Sequence, residues 1–153
     1  MTDTNTIVDL QRRIRLHPAV DCVTNLTSVP PPVSQAQITT FESATKLRLP
    51  SFVRRLYSEV ANGGFGPAYG VVPLIDAEGD TVLDWHRRYR SENQRVPTGP
   101  QWPAKLLHFC EGGCATIYAL DISVDLAPVY AVEGNQSNDV SDWLTLVSPS
   151  VVS

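Results

Sequence analysis

Hydrophobic positions along the chain alternate between helical and strand-like spacing, and the switches mark out its elements. In residues 5–16, Ile7, Leu10 and Ile14 recur at intervals of three and four, which predicts a short amphipathic helix with a basic outer face. His17-Pro18 is expected to end it, because a residue before proline is pushed out of the helical region. Residues 18–33 read as irregular, with Pro30-Pro31-Pro32 as a stiff extended connector.

Ser34 followed by Gln37 is the pattern of a capping box, and Val33 with Ile38 forms the flanking hydrophobic staple. The helix that starts there carries Ile38, Phe41 and Thr45 on one face and is expected to end near Leu47. Leu49-Pro50 opens a second helix, with Phe52, Val53, Leu56, Tyr57 and Val60 turned inward. Asn62-Gly63-Gly64 closes it, glycine reaching the left-handed conformation without steric cost.

Downstream, residues 69–75 read as a strand, demoted to a sheet edge by Pro73. Asp76–Asp80 is an acidic loop, and Asp80 is expected to cap a third helix that runs to about Gln94 with Val82, Trp85 and Tyr89 on one face. A proline-rich loop over 96–104 carries Trp102. Lys105–Cys110 and Cys114–Ile122 form a hairpin around Gly112-Gly113, Pro128–Glu133 adds a third strand, and Trp143–Val147 is a last apolar stretch. The fold class expected is α+β, an antiparallel sheet with helices packed around it. Residues 1–29 form an N-terminal helix and irregular extension, and 30–153 the main domain.

Composition fits this picture. At 153 residues the chain can bury a core without disulfides or metal. Twelve prolines and nine glycines argue for short elements and many turns. No apolar run approaches the roughly 18 residues of a membrane span, and no secretory signal opens the chain. Three cysteines are too few for a disulfide framework, so a reducing cytoplasm is expected.

Charge is uneven. After Lys105 there is no Lys or Arg, whereas Glu111, Asp121, Asp125, Glu133, Asp139 and Asp142 all follow. An anionic third repels nucleic acid and steers a basic partner; its plainer reading is a solvated surface that confers solubility.

The candidate chemistry is thin. His108, Cys110 and Cys114 in HFCEGGC have zinc-compatible types but not the spacing or number of a zinc knuckle, and buried apolar cysteines are the simpler reading. No cysteine or serine triad can be nominated. The glycines of NGGFG follow a helix rather than precede one, so they offer phosphate the wrong end of the dipole. WHRRYRSENQR reads as a helix with Trp85 and Tyr89 inward and Arg87, Arg88, Arg90 and Arg95 solvated. No catalytic, cofactor-binding or metal-binding residue is assigned.

Three blocks, ITTFESATKLRLPSFVRRLYSEVANGGFGPAYGVVPL at 38–74, LLHFCEGGCATIYALDI at 106–122 and PVYAVEGN at 128–135, resemble the SUKH superfamily of Smi/Knr-type domains over roughly residues 30–148. The resemblance implies a non-catalytic fold of helices on one antiparallel sheet. It also implies a closing helix after the last strand, where this sequence stops at Val151-Val152-Ser153; the sheet surface this leaves is expected to be covered by the N-terminal helix or a second copy, which leaves a homodimer open. Many bacterial members are immunity proteins that neutralise a nuclease or deaminase toxin, and others are regulatory modules.

The leading expectation is therefore an immunity protein for a basic toxin domain. Glu111, Asp121, Asp125 and Glu133 are its expected charged contacts, with Tyr118 and Tyr130 as aromatic anchors. The alternatives are a regulatory or scaffolding interaction module and, behind it, a small enzyme.

Overall fold

The computed structural model describes residues 3–16, 30–65, 70–98, 101–113, 116–133 and 147–150. Four helical segments precede the strands: α1 (Asp3–Leu16), α2 (Gln35–Thr45), α3 (Ser51–Arg55) and α4 (Val82–Arg95). Among the described residues, β1 (Leu106–Gly113), β2 (Thr116–Asp121), β3 (Val129–Glu133) and β4 (Val147–Ser150) form an antiparallel sheet in chain order. The fold class is α+β, as the sequence pattern implies.

Local chemistry accounts for the helix starts. Ser34 Oγ accepts from the Gln37 amide at 3.1 Å while the Gln37 side chain accepts from the Ser34 amide at 2.8 Å, a complete capping box. Lys46 ends α2 in the left-handed conformation, φ 60°. Pro50 stands as the N-cap of α3, one position before its expected place inside the first turn. Helix α3 then widens into a π-helical turn over Leu56–Val60, where the Ala61 amide donates to the Leu56 carbonyl. Nothing in the spacing of the apolar residues signals that turn.

Two clusters of buried side chains flank the sheet. The larger takes Ile7 from α1, Ile38 and Phe41 from α2, Val53, Leu56 and Tyr57 from the α3 corner, and Leu107, Phe109 and Leu120 from the strands. Helix α1 is tied to the same corner, Gln11 Nε2 donating to the Glu59 carbonyl at 2.7 Å. The smaller cluster joins Trp102, Leu106, Ala119 and Val132, with Tyr89, Ile117 and Tyr130 packed against it. Alternation along β2 puts Tyr118 and Leu120 on the first side and Ile117 and Ala119 on the second. In β1 a register shift between His108 and Cys110 breaks the alternation, so that Phe109 and Cys110 both enter the larger core.

Several expectations need correction. The segment expected as a strand at 69–75 makes only one bridge, Val71 with Cys110, among its described residues. Its remaining backbone groups bond to the Phe65 and Phe109 carbonyls, to the Gly64, Val82 and Leu83 amides, and to the side chains of Tyr57 and Asn62. Thr81, not Asp80, caps α4, in a second capping box with Asp84; Asp80 instead pairs with Arg88 at 2.9 Å. Strand β1 runs through Gly112-Gly113, where the hairpin turn was expected, and residues 114–115 lie outside the described residues. The stretch after Leu16, most of the Trp143–Val147 stretch, Asp139 and Asp142 also lie outside them.

The Asn62-Gly63 corner is where the helices meet the sheet. Asn62 is buried; its amide nitrogen donates to the Ile75 carbonyl and its oxygen accepts from the Leu74 amide, both at 2.8 Å. Gly63 has φ 74°, and a Cβ there would sit 2.6 Å from both Pro73 N and Val71 O. Asn62→Ala leaves two buried backbone groups unpaired, so a loss of about 2–4 kcal/mol is expected in urea denaturation. Gly63→Ala adds left-handed strain to a backbone clash and is expected to cost at least about 2 kcal/mol. Midpoints within error of the unsubstituted chain for both variants would show that the corner does not carry the fold.

Candidate protein-binding surface

The six residues expected to make contact do not form one patch. Glu111 pairs with Ile117 near one end of the hairpin, and Glu133 pairs with Thr116 at that same end. Asp121 stands opposite Leu106 at the other end, roughly 17 Å away at about 3.4 Å per residue. Tyr118 and Tyr130 fall on opposite faces: Tyr118 leans on the larger core and Tyr130 on the smaller. Both are half-buried, which suits a partial role in packing. The side chain of Glu133 is outside the described residues.

Asp121 requires a correction. It is 5% exposed rather than presented to a partner. Burial alone would push its carboxyl up, but two hydrogen bonds from Ser123, at 2.9 Å from the amide and 2.6 Å from the hydroxyl, and Lys105 at 3.3 Å hold it below the ordinary value. Its charge is already neutralised inside the protein. What it does is shape the loop between β2 and β3.

That loop is the most exposed apolar feature among the described residues. Leu126 is 86% exposed and Val124 47%, with the exposed Asp125 between them. The loop is nonetheless braced. The Asp121 amide donates to the Pro128 carbonyl at 2.9 Å, the Ala127 amide donates to the Val124 carbonyl at 3.0 Å, and Ala127 is buried with φ 43°. A fixed turn therefore holds two aliphatic side chains and one carboxylate outward, in a third of the chain without a lysine or arginine after Lys105. The sequence reading found Asp125 but passed over Val124 and Leu126. Their signal was available, since SVDLAP places apolar residues in a turn where polar ones are usual.

Between α4 and the hairpin, an aromatic stack packs against β1. Trp85 lies over His108 at 4.2 Å between centroids, Tyr89 over Trp102 at 4.3 Å, and Arg88 over Trp85 at 4.3 Å. Trp102 is fixed by its indole donating to the Leu106 carbonyl at 2.8 Å and by paired bonds with Asn93. Arg90, expected in solvent, turns in and donates to the Trp102 carbonyl. His108 is buried, with Nδ1 2.9 Å from the Tyr89 hydroxyl and Nε2 3.4 Å from Glu111 Oε1.

These groups do not build a nucleophile or a metal centre. Burial pushes the Cys110 thiol up to about 11, with Glu111 adding to it, so it stays protonated and unreactive near neutral pH. No cluster of metal-binding residues occurs among the described residues, and Cys114 is outside them. Of the glycines of NGGFG, Gly63 and Gly64 take positive φ at the Asn62 corner, and Gly66 lies outside the described residues. No helix among the described residues is long and apolar enough to cross a membrane.

His108 makes stability depend on pH. Burial, and next the nearby Arg88, lower its pKa to about 4 against the opposing pull of Asp80. The unfolded chain takes up this proton near pH 6.5, before the folded chain does, so stability is full above that pH and falls as pH drops toward 4. The loss is expected to reach roughly 3 kcal/mol across that window. His108→Phe keeps a ring on Trp85 and should remove most of the slope between pH 7 and 5 in urea denaturation. A smaller slope should remain, because burial also lowers His86. An unchanged slope in His108→Phe would place the pH sensitivity elsewhere.

Comparison with known families finds a match to the family described as SMI1 / KNR4 family (SUKH-1), over residues 32–151. No individual curated protein matches the chain. The matched span takes in the α2–α3 corner, the Asn62-Gly63 clamp, α4 and the sheet. The chain belongs to the SMI1 / KNR4 (SUKH-1) family.

Proposed function

We propose that this protein is a non-enzymatic binding domain that acts as an immunity protein, neutralising a bacterial toxin of nuclease or deaminase type by direct contact in the cytoplasm. The observation that carries the reading is the braced loop of Val124, Asp125 and Leu126. An exposed leucine beside a carboxylate, with the backbone fixed beforehand, supplies an apolar anchor and a steering charge at small entropic cost. A toxin that acts on nucleic acid carries a basic cleft, which this anionic surface complements. Family membership supports the reading, since the family includes immunity proteins. A regulatory interaction module would use the same surface, and the nature of the captured partner separates the two.

Co-expression with a neighbouring candidate toxin should restore growth and yield a complex that co-purifies. Failure of both would overturn the immunity reading. Within such a complex, Leu126→Asp is expected to weaken binding by about 1.5–3 kcal/mol, the worth of burying a leucine. Asp125→Lys should chiefly slow association, and the effect should fade as salt is raised. Surface plasmon resonance at two ionic strengths checks both; unchanged rates in both variants would move the contact away from this loop.

A further inference from the structure

A second surface feature lies at the opposite end of β1 from the loop. A cleft of about 270 Å³ is lined by Gly64, Gly70, Val71, Val72, Pro73, Asp80 and Glu111. Its size falls just under the roughly 300–1,000 Å³ of small-molecule pockets and suits a single side chain. The wall carbonyls are already engaged: Val71 accepts from Gly64, Val72 from the Tyr57 hydroxyl and Pro73 from Val82. What remains to choose a ligand is the pair of carboxylates.

Of these, Asp80 holds Arg88 at 2.9 Å, and Arg88 lies over the Trp85 ring. This part of the surface thus already seats one guanidinium between a carboxylate and an aromatic face. Glu111 is about half exposed, and its Oε1 lies 3.4 Å from His108 Nε2. That nitrogen is buried and has no hydrogen-bond partner. In the tautomer in which Tyr89 donates its hydroxyl proton to Nδ1, the ring proton sits on Nε2, 3.4 Å from Glu111 Oε1 and not hydrogen-bonded to it. The ring is uncharged at neutral pH, so the Glu111 carboxylate is not neutralised by it.

We propose that this cleft receives the guanidinium of an arginine side chain from a protein partner, bound by Glu111 between the walls formed by Val71, Val72 and Pro73. The proposal rests on the reading of the chain as a protein-binding domain for the source of that arginine. Arginine fits better than lysine because a planar fork meets a carboxylate with two parallel hydrogen bonds. A cation that orders Glu111 also gives the buried His108 N–H a fixed acceptor, which the unliganded cleft lacks.

The test uses the full ¹⁵N-labelled chain, titrated with N-acetyl-arginine amide and, separately, with the neutral isostere N-acetyl-citrulline amide at low salt. Saturable shifts of the Gly64, Gly70 and Val71 amides are expected with the arginine probe, with about two- to fivefold weaker binding of citrulline, the scale of one exposed ion pair. Glu111→Gln should bring the arginine probe down to the citrulline level; the side chain is half exposed, so the variant is expected to fold. Equal response to both probes, or an arginine response unaffected by Glu111→Gln, would overturn the proposal. The two readings fail separately. A cleft that ignores arginine while a toxin still co-purifies removes only the cleft, and an arginine-binding cleft without a captured toxin removes only the immunity reading.

Discussion

The whole arrangement depends on how the backbone of residues 71–75 is satisfied without a sheet ladder. Val71 donates to the Phe65 carbonyl and accepts from Gly64, Val72 donates to the Phe109 carbonyl and accepts from the Tyr57 hydroxyl, and Leu74 donates to Asn62 and accepts from Leu83. Pro73 has no amide to satisfy, and its carbonyl accepts from Val82. Buried peptide groups left unpaired would each cost on the order of 1–3 kcal/mol. The segment thus binds three parts together, the α3 corner, the first turn of α4 and β1. Gly63 is required because only a residue without Cβ lets the corner approach that closely.

This constraint places the cleft and the exposed loop. With the corner packed against one side of the sheet and α4 drawn to β1, the cleft beside Glu111 opens between the extended segment and the strand. The loop of Val124, Asp125 and Leu126 lies at the other end of the hairpin, with Val124 and Leu126 exposed. Asp121 and Lys105 close the sheet beneath it. Asp121, one of the carboxylates expected as a contact, is thereby a residue that orders the loop presenting Asp125.

The legible parts of the fold were those governed by neighbours in sequence. Ser34 with Gln37, the Leu49-Pro50 corner and the spacing of Trp85 and Tyr89 all act within one or two turns of chain, so the residues concerned reveal themselves. Thr81 with Asp84 is as local a signal and was available, but Asp80 beside it offered an equally good cap. The π-turn at Leu56–Val60 and the bulge between His108 and Cys110 left no such trace, because each is fixed by what the chain packs against. The candidate surface was legible only as a charge asymmetry, and its resolution into Asp125, Val124 and Leu126 needed exposure values that no spacing supplies.

By itself, then, the sequence determined the family, the α+β class, the helix starts and the anionic final third, because these follow from side-chain chemistry acting over short separations. Only the tertiary structure decided that residues 71–75 bridge rather than pair, that Asp121 is buried while Asp125 is exposed, and that Glu111 meets a buried histidine nitrogen without a hydrogen-bond partner beside a cleft. The physical reason is that burial and ion pairing depend on groups distant in the chain. The charge of a carboxylate, which its sequence neighbours cannot settle, is neutralised or left free by whatever the fold places against it.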